Sequence, residues 1–150
     1  MIRRLLLFCA VGLISTGCTT VVAERLESAK TVDDGTGYIF IYDDMSATDV
    51  YLAGEMNRWG PNDGGKIRKG DKYNIKFKRR EDGIWQAVVP YKEHVKLPQY
   101  DTLDDEVYVE HGNRYRYKIV IDGDRWIADP NNRSILRDPD GNENSLLVAP

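Results

Sequence analysis

Three tryptophans stand in turn-like surroundings, where an indole ring can be partly exposed. A flat aromatic face suits the apolar C–H face of a pyranose ring, while polar side chains nearby can bind the sugar hydroxyls. Trp59, beside Gly60 and Pro61, and Trp126, after a run of Asp and Gly, therefore have residue types that suit carbohydrate stacking. On residue type alone, packing at the rim of a sheet explains these two equally well. Trp85 lies within an alternating strand, so we interpret it as a packing residue.

Catalytic chemistry has no comparable pattern. His94 and His111 lie in one polar stretch without a second cluster of metal ligands, so we interpret both as surface residues. No serine nucleophile with an elbow motif or a positioned base can be traced. The acidic run 104–106 does not predict the two carboxyls held across a cleft that a glycosidase needs. We therefore expect a protein that is not an enzyme and that needs no metal or cofactor, and a small hydrolase is the least favoured alternative.

Length and charge limit the remaining classes. The 150 residues give room for one domain, and their hydrophobic content of 41% is enough for a packed core. The net charge is −3, with both signs spread along the chain. Nucleic-acid binding would need a basic face, so we expect no nucleic-acid partner.

Residues 1–17 have the pattern of a secretory signal peptide. Arg3 and Arg4 supply the positive charge, and residues 5–14 form a mostly apolar stretch without charges. This stretch is shorter than the ~20 apolar residues that span a bilayer. Small residues at 15–17 then precede Cys18.

The run from Ile14 to Cys18 resembles a bacterial lipobox, with Ser15 where Leu or Val is usual. Cys9 would leave with the signal peptide, so the mature chain would hold a single cysteine with no intramolecular disulfide partner. Acyl chains on Cys18, at about 0.8 kcal/mol per buried CH₂, would anchor the protein to a membrane. We expect a lipid-anchored protein of the cell envelope, at the outer membrane or the periplasmic face if the bacterium has two membranes.

The rest of the chain divides into a tether at 18–37 and one β-domain at 38–150. Runs rich in β-branched and aromatic residues, separated by turn signals, predict strands. The predicted strands are 38–42, 50–54, 73–78, 84–89, 115–121 and 145–148, and 61–70 is predicted to be a loop. Since no sustained helical pattern accompanies them, this spacing predicts an all-β fold, an antiparallel β-sandwich.

Four blocks of the β-domain form a recognisable series: VYLAGEMNRW at 50–59, DGIWQAVVP at 82–90, YRYKIVIDGDRWIADP at 115–130 and NENSLLV at 142–148. In this order they resemble carbohydrate-binding module family 48. This family includes the glycogen-binding domain of AMP-activated kinase β subunits and the N-terminal domains of isoamylases and branching enzymes. The resemblance covers most of the chain from Val50 onward, and it implies an immunoglobulin-like, early-set β-sandwich that binds α-1,4-glucans.

The resemblance also implies a binding site. Trp59 and Trp126 match the two sugar-stacking tryptophans of the family. Lys118 matches a lysine that hydrogen-bonds sugar hydroxyls, and Asn144 matches an asparagine near the binding face. The implied ligand is an α-glucan polysaccharide or oligosaccharide.

The sequence departs from the family pattern in two places. In kinase β subunits a leucine just before a glycine projects into the bound glucan, whereas here Asp140 precedes Gly141. The nearest apolar residues, Ile135 and Leu136, lie further back. The stretch 91–113 replaces a tight turn; we expect an extended hairpin, and an added wall to the binding surface or a partner contact is the alternative.

Two functions remain. The first is non-catalytic α-glucan binding by a membrane-anchored lipoprotein. The second is a structural or interaction module of the envelope that keeps the fold without binding sugar, with an envelope protein as its partner, because a fold does not fix a function.

Overall fold

The computed structural model describes residues 32–33 and 35–150. The predicted signal peptide and Cys18 therefore lie outside the described residues, as does most of the predicted tether. In the described part the chain forms β1 (Val32–Asp33), β2 (Gly37–Tyr42), β3 (Val50–Gly54), β4 (Asn62–Asp63), β5 (Lys66–Ile67), β6 (Ile75–Lys76), β7 (Lys78–Arg79), β8 (Trp85–Pro90), β9 (Arg114–Ile121), β10 (Arg125–Ile127), β11 (Ile135–Arg137) and β12 (Glu143–Val148). Short 3₁₀ turns lie at Glu55–Asn57, Lys92–His94 and Pro98–Tyr100.

These strands form two main sheets and one small hairpin. The four-stranded sheet has the order β1-β2-β8-β7, and the six-stranded sheet has the order β11-β12-β9-β3-β6, with β10 paired to β9. The β4–β5 hairpin forms a separate two-stranded sheet. Every pairing between these strands is antiparallel, so the predicted all-β antiparallel β-sandwich is confirmed. Its immunoglobulin-like, early-set topology stays a prediction.

The core lies between the sheets because side chains alternate along each strand. Phe40 of β2 and Leu52 of β3 face inward and are fully buried. The rings of Phe40 and Tyr117 meet edge to face across the interior, with centroids 5.2 Å apart and planes at 79°. Trp85 is also buried in this cluster, which confirms its interpretation as a packing residue.

Two predictions of local structure were too simple. The single strand predicted at 73–78 is divided: β6 pairs with β3 of the six-stranded sheet and β7 with β8 of the four-stranded sheet. Phe77, at the crossing point, is only 2% exposed, and its N–H donates to the carbonyl of Val50 at 2.8 Å. The loop predicted at 61–70 contains the β4–β5 hairpin.

Strand β1 lies within residues 18–37, the stretch interpreted as a tether, and it pairs with β2 of the four-stranded sheet.

The extended hairpin expected at 91–113 is wrong. The segment folds into two 3₁₀ turns and makes one isolated parallel bridge between Tyr91 and Val109. Tyr91, Tyr100, Val107 and Val109 are buried, and all but Tyr100 belong to the main core. The segment cannot project freely, because burying its apolar side chains holds it against the sandwich. We call it the core-packed insertion.

Candidate functional site

An open cavity of about 430 Å³ lies on the outer face of the six-stranded sheet. Its walls come from β9, β10 and β12, from the turn after β3, from the β4–β5 hairpin and from the β11–β12 turn. The lining residues are Trp59, Asn62, Gly65, Arg116, Lys118, Trp126, Asp138, Asn142 and Asn144. All four residues that the sequence predicted for sugar binding, Trp59, Trp126, Lys118 and Asn144, are therefore brought together at one cavity.

Lys118 owes its place to a junction between strands. One edge of β9 pairs with β3, while its other edge pairs first with β12, over 114–117, and then with β10, over 119–121. Lys118 lies between these two partners and is 9% exposed. Its alkyl stem is covered while Nζ reaches the cavity, where it donates to Oδ1 of Asn142 at 2.5 Å.

Trp126 packs against an apolar patch of the outer face. On β10 it is directly opposite Val120, and it packs against a buried cluster on this face made of Tyr51, Ala53, Ile67 and Val120. The remaining part of the half-buried ring lines the cavity. The sheet thus supplies a rigid support for this indole.

Trp59 is presented by a turn in an unusual backbone conformation. Arg58, Trp59 and Gly60 have φ values of 56°, 61° and 52°, so three successive residues are left-handed. Only Gly60 adopts this region without steric cost, and each residue in a sparsely populated conformation costs of order 1–3 kcal/mol. A Cβ on Gly60 would come within 3.2 Å of Ala53 and Ile67. The turn therefore sits directly on the sheet and points Trp59 into the cavity.

Asn57, which was not among the predicted site residues, compensates for part of this cost. It is 1% exposed and uses both ends of its amide. Oδ1 accepts from the backbone N–H of Gly54 at 2.8 Å and of Gly60 at 3.3 Å, while Nδ2 donates to the carbonyls of Leu52 at 2.8 Å and Tyr73 at 3.1 Å. Asn57 thereby ties both ends of the turn to β3.

Arg116 and Asp138 also line the cavity, and neither was among the site residues predicted from the sequence. Nδ2 of Asn144 donates to Oδ2 of Asp138 at 2.9 Å. Nε and Nη2 of Arg116 donate to Oε1 of Glu55 at 3.0 and 2.9 Å, and this carboxylate raises the pKa of Arg116. The partners are 61 and 6 residues apart in the chain, and no local pattern links either pair. Leu136 pairs with Asn144 in register, so it shares the outer face and is 41% exposed beside the site.

A buried acid lies behind the site, on the core side of β9. Asp129 is 1% exposed; its Oδ2 accepts from the hydroxyl of Tyr117 at 2.7 Å and its Oδ1 from the N–H of Asn131 at 2.8 Å. Burial raises the pKa of Asp129, and burial also raises the pKa of Tyr117. Neither residue lines the cavity. The hydrogen bond between Tyr117 and Asp129 connects the β10–β11 loop to the core.

Other features of the described chain lie away from this cavity. His111 is exposed and stacks on Tyr91 with ring centroids 3.9 Å apart, while His94 is half-buried. Within residues 32–33 and 35–150, no group of three or more His, Cys, Asp or Glu is placed to hold a metal ion. The same residues include no helix long and apolar enough to cross a membrane. A second cavity of about 460 Å³ lies at the sandwich edge, and its lining includes Lys76, Lys78, Gln99, Tyr100, Thr102 and Leu103.

The chain matches no protein-family model and no curated protein. The resemblance to carbohydrate-binding module family 48 therefore rests on the four sequence blocks and stays a prediction.

Proposed function

We propose that this protein is a non-catalytic carbohydrate-binding lipoprotein that holds an α-glucan at the cell envelope. The observation that carries the proposal is the meeting of Trp59, Trp126, Lys118 and Asn144 at one open cavity. These residues come from a turn and three different strands, and the chain had to fold for them to meet.

The chemistry of the cavity supports a sugar ligand. Two half-buried indoles offer apolar faces for stacking on pyranose rings. The surrounding ammonium, amide and carboxylate groups offer donors and acceptors for hydroxyls. A volume of about 430 Å³ is within the usual range of roughly 300–1,000 Å³ for ligand sites. Its open shape suits a polymer that crosses the surface.

Hydrogen bonds and ion pairs hold the charged groups of the cavity in place. Lys118 is hydrogen-bonded to Asn142, and Arg116 is paired with Glu55. Asp138 receives the Asn144 amide and lies 3.8 Å from Arg116. Arg116 and Asp138 therefore have charged partners, whereas the Lys118 ammonium has a neutral amide as its partner and stays a charged donor for a sugar hydroxyl.

Lipid attachment at Cys18 would keep this surface at the membrane, and it is part of the proposal. The cavity is formed entirely by residues from Trp59 onward, whereas Cys18 lies near the start of the chain. Replacing Cys18 by Ala should abolish incorporation of labelled palmitate. Labelling that persists in the variant would contradict the anchor without touching the sugar site.

Retention on immobilised amylose tests the sugar site. The mature chain carrying Cys18→Ser should be retained on amylose and glycogen, and Trp59→Ala or Trp126→Ala should abolish retention. Trp85→Phe, a change in the core far from the cavity, is the matched control and should be retained. If the parent chain is not retained, the interaction-module alternative takes the place of glucan binding. If both alanine variants are retained, binding occurs elsewhere on the protein.

A further inference from the structure

The core-packed insertion reaches the turn that presents Trp59, and Glu106 makes the contact. The guanidinium of Arg58, the residue before Trp59, forms an ion pair with Oε2 of Glu106. The hydroxyl of Tyr73 donates to the same oxygen at 2.7 Å. The Arg58 guanidinium also lies over the Tyr73 ring, with Cζ 4.1 Å from the centroid. Arginine, phenol and carboxylate thus form a closed triangle beside the turn.

Tyr73 and Glu106, two members of this triangle, are each held by further contacts with the rest of the protein. On the turn side, the carbonyl of Tyr73 accepts from Nδ2 of Asn57, which also holds the two ends of the turn. On the insertion side, the N–H of Glu106 donates to Oδ1 of Asp104 at 3.0 Å. Val107, the next residue, is fully buried. The backbone of Glu106 is therefore held in place by its bond to Asp104 and by the buried side chain of Val107.

Lys72 makes a second link between the same parts. Its ammonium lies 4.5 Å from the centroid of the Tyr73 ring and pairs with Asp104 at 3.0 Å. The hydrogen bond to Asp104 is the largest cause that raises the pKa of Lys72. Two cations of the sandwich thus meet two acids of the insertion around one aromatic ring.

From this arrangement we propose that Glu106 is a positioning residue: it holds Arg58 and thereby sets the direction of the Trp59 ring. The proposal deepens the proposed function, since it assigns the insertion a role at the same sugar site. Arg58 and Trp59 adopt left-handed backbone conformations that their residue types disfavour, so the turn needs contacts that hold it. Glu106 touches the turn through Arg58 and does not line the cavity.

An isolated surface ion pair would not have this effect. The side chains of Arg58 and Glu106 are 64% and 56% exposed, and pairs of this kind contribute little on average. Here the carboxylate oxygen is shared with a phenol, and the guanidinium is stacked on the ring of that same phenol. Exposed charges that form such a network restrict geometry more than a single exposed pair does.

The test uses 5-fluorotryptophan and ¹⁹F NMR on the mature Cys18→Ser chain, with Trp59, Trp85 and Trp126 assigned by single Trp→Phe variants. Glu106→Ala should shift or broaden the Trp59 resonance and leave the other two in place. Glu110→Ala is the control: Glu110 lies in the same insertion and pairs with Lys92 at 2.6 Å, away from the turn. It should move none of the three resonances. A Trp59 resonance that Glu106→Ala leaves in place, or that Glu110→Ala moves equally, overturns the proposal.

Sugar binding gives a second readout. Glu106→Ala should weaken the affinity for maltoheptaose about two- to fivefold, the range of exposed ion pairs. The double variant that exchanges the charges, Arg58→Glu with Glu106→Arg, should recover part of the lost affinity. Neither Arg58→Glu alone nor Glu106→Arg alone should recover it. If the parent chain itself does not bind, the proposed function fails, and the fluorine resonances still decide whether Glu106 positions Trp59. Equal affinity of parent and Glu106→Ala, with measurable binding in both, counts against the positioning role.

Discussion

The indole Nε1 of Trp126 donates a hydrogen bond to the main-chain carbonyl oxygen of Gly65, 2.5 Å away. An indole has one donor and no acceptor, so this bond uses the whole polar capacity of the side chain. Gly65 lies in the turn of the β4–β5 hairpin with φ of +89°, a conformation that favours glycine. The hairpin therefore restricts the rotation of the ring.

The first prediction follows from that bond. Trp126→Phe keeps an aromatic ring on Ala53 and Val120 but removes the donor to Gly65. We expect a loss of about 1 kcal/mol in the free energy of unfolding, the usual contribution of one hydrogen bond. The affinity for maltoheptaose should fall for two reasons. The phenyl ring is smaller than the indole, and without the bond to Gly65 it is free to rotate away from the stacking orientation. Calorimetric titration measures this, and unchanged affinity would show that the hairpin does not orient the ring.

Lys118→Met tests the polar half of the site. Methionine can occupy the covered channel of the lysine stem, so the free energy of unfolding should change by less than about 1 kcal/mol. Loss of the ammonium removes a charged donor, and such hydrogen bonds contribute about 1.5–3 kcal/mol. We expect an affinity for α-glucan roughly ten- to a hundredfold weaker by titration. Lys78→Met, at the second cavity, is the control and should bind as the parent does.

Asn57→Ala should be among the most damaging single changes outside the apolar core. It removes four hydrogen-bond contacts and leaves the buried carbonyl of Leu52 and N–H of Gly54 without this partner. We expect a loss of about 2–4 kcal/mol in urea unfolding, since each unsatisfied buried group costs about 1–3 kcal/mol. Asn74→Ala is the matched control, because Asn74 makes one side-chain bond, to the carbonyl of Arg68. Similar losses for the two variants would contradict the role of Asn57.

Sequence patterns predicted the strands well where one face is buried. The expected strand 50–54 is observed at the same bounds, and those at 38–42, 84–89 and 115–121 differ by one residue at one or both ends. The division at Phe77 could not be seen, because period-two alternation is the same whether a run stays in one sheet or crosses to the other. The predicted site residues converge because Lys118 lies on β9 between two pairing partners of that strand. One partner is β10, which carries Trp126, and the other is β12, which carries Asn144.

The contacts around the site could not be predicted in the same way. Arg58 and Glu106 are 48 residues apart, and both belong to types that are usually solvated. The burial of apolar side chains such as Val107 and Val109 holds the insertion against the sandwich and so brings the two together. Polar pairs of this kind depend on tertiary packing, and neither residue type nor spacing carries that information.

The last prediction concerns Asp44, which lies in the turn after β2. Its Oδ1 accepts from the Ser46 hydroxyl at 2.6 Å and from the N–H groups of Ser46 and Ala47 at 2.9 and 3.2 Å. These bonds, the Ser46 hydroxyl first among them, lower the pKa of Asp44 to about 2.

Because the folded pKa of Asp44 lies below the unfolded value of 3.8, the ionised form stabilises the fold. This contribution is complete above about pH 5 and is lost as the pH falls toward 2. Asp44→Asn should therefore cost about 1–2 kcal/mol at pH 7, and the difference from the parent should shrink toward zero near pH 2. Ser46→Ala should show the same trend with a smaller amplitude. Urea unfolding at pH 7, 4 and 2.5 measures both, and a gap that stays constant over this range would show that the Asp44 charge does not stabilise the turn.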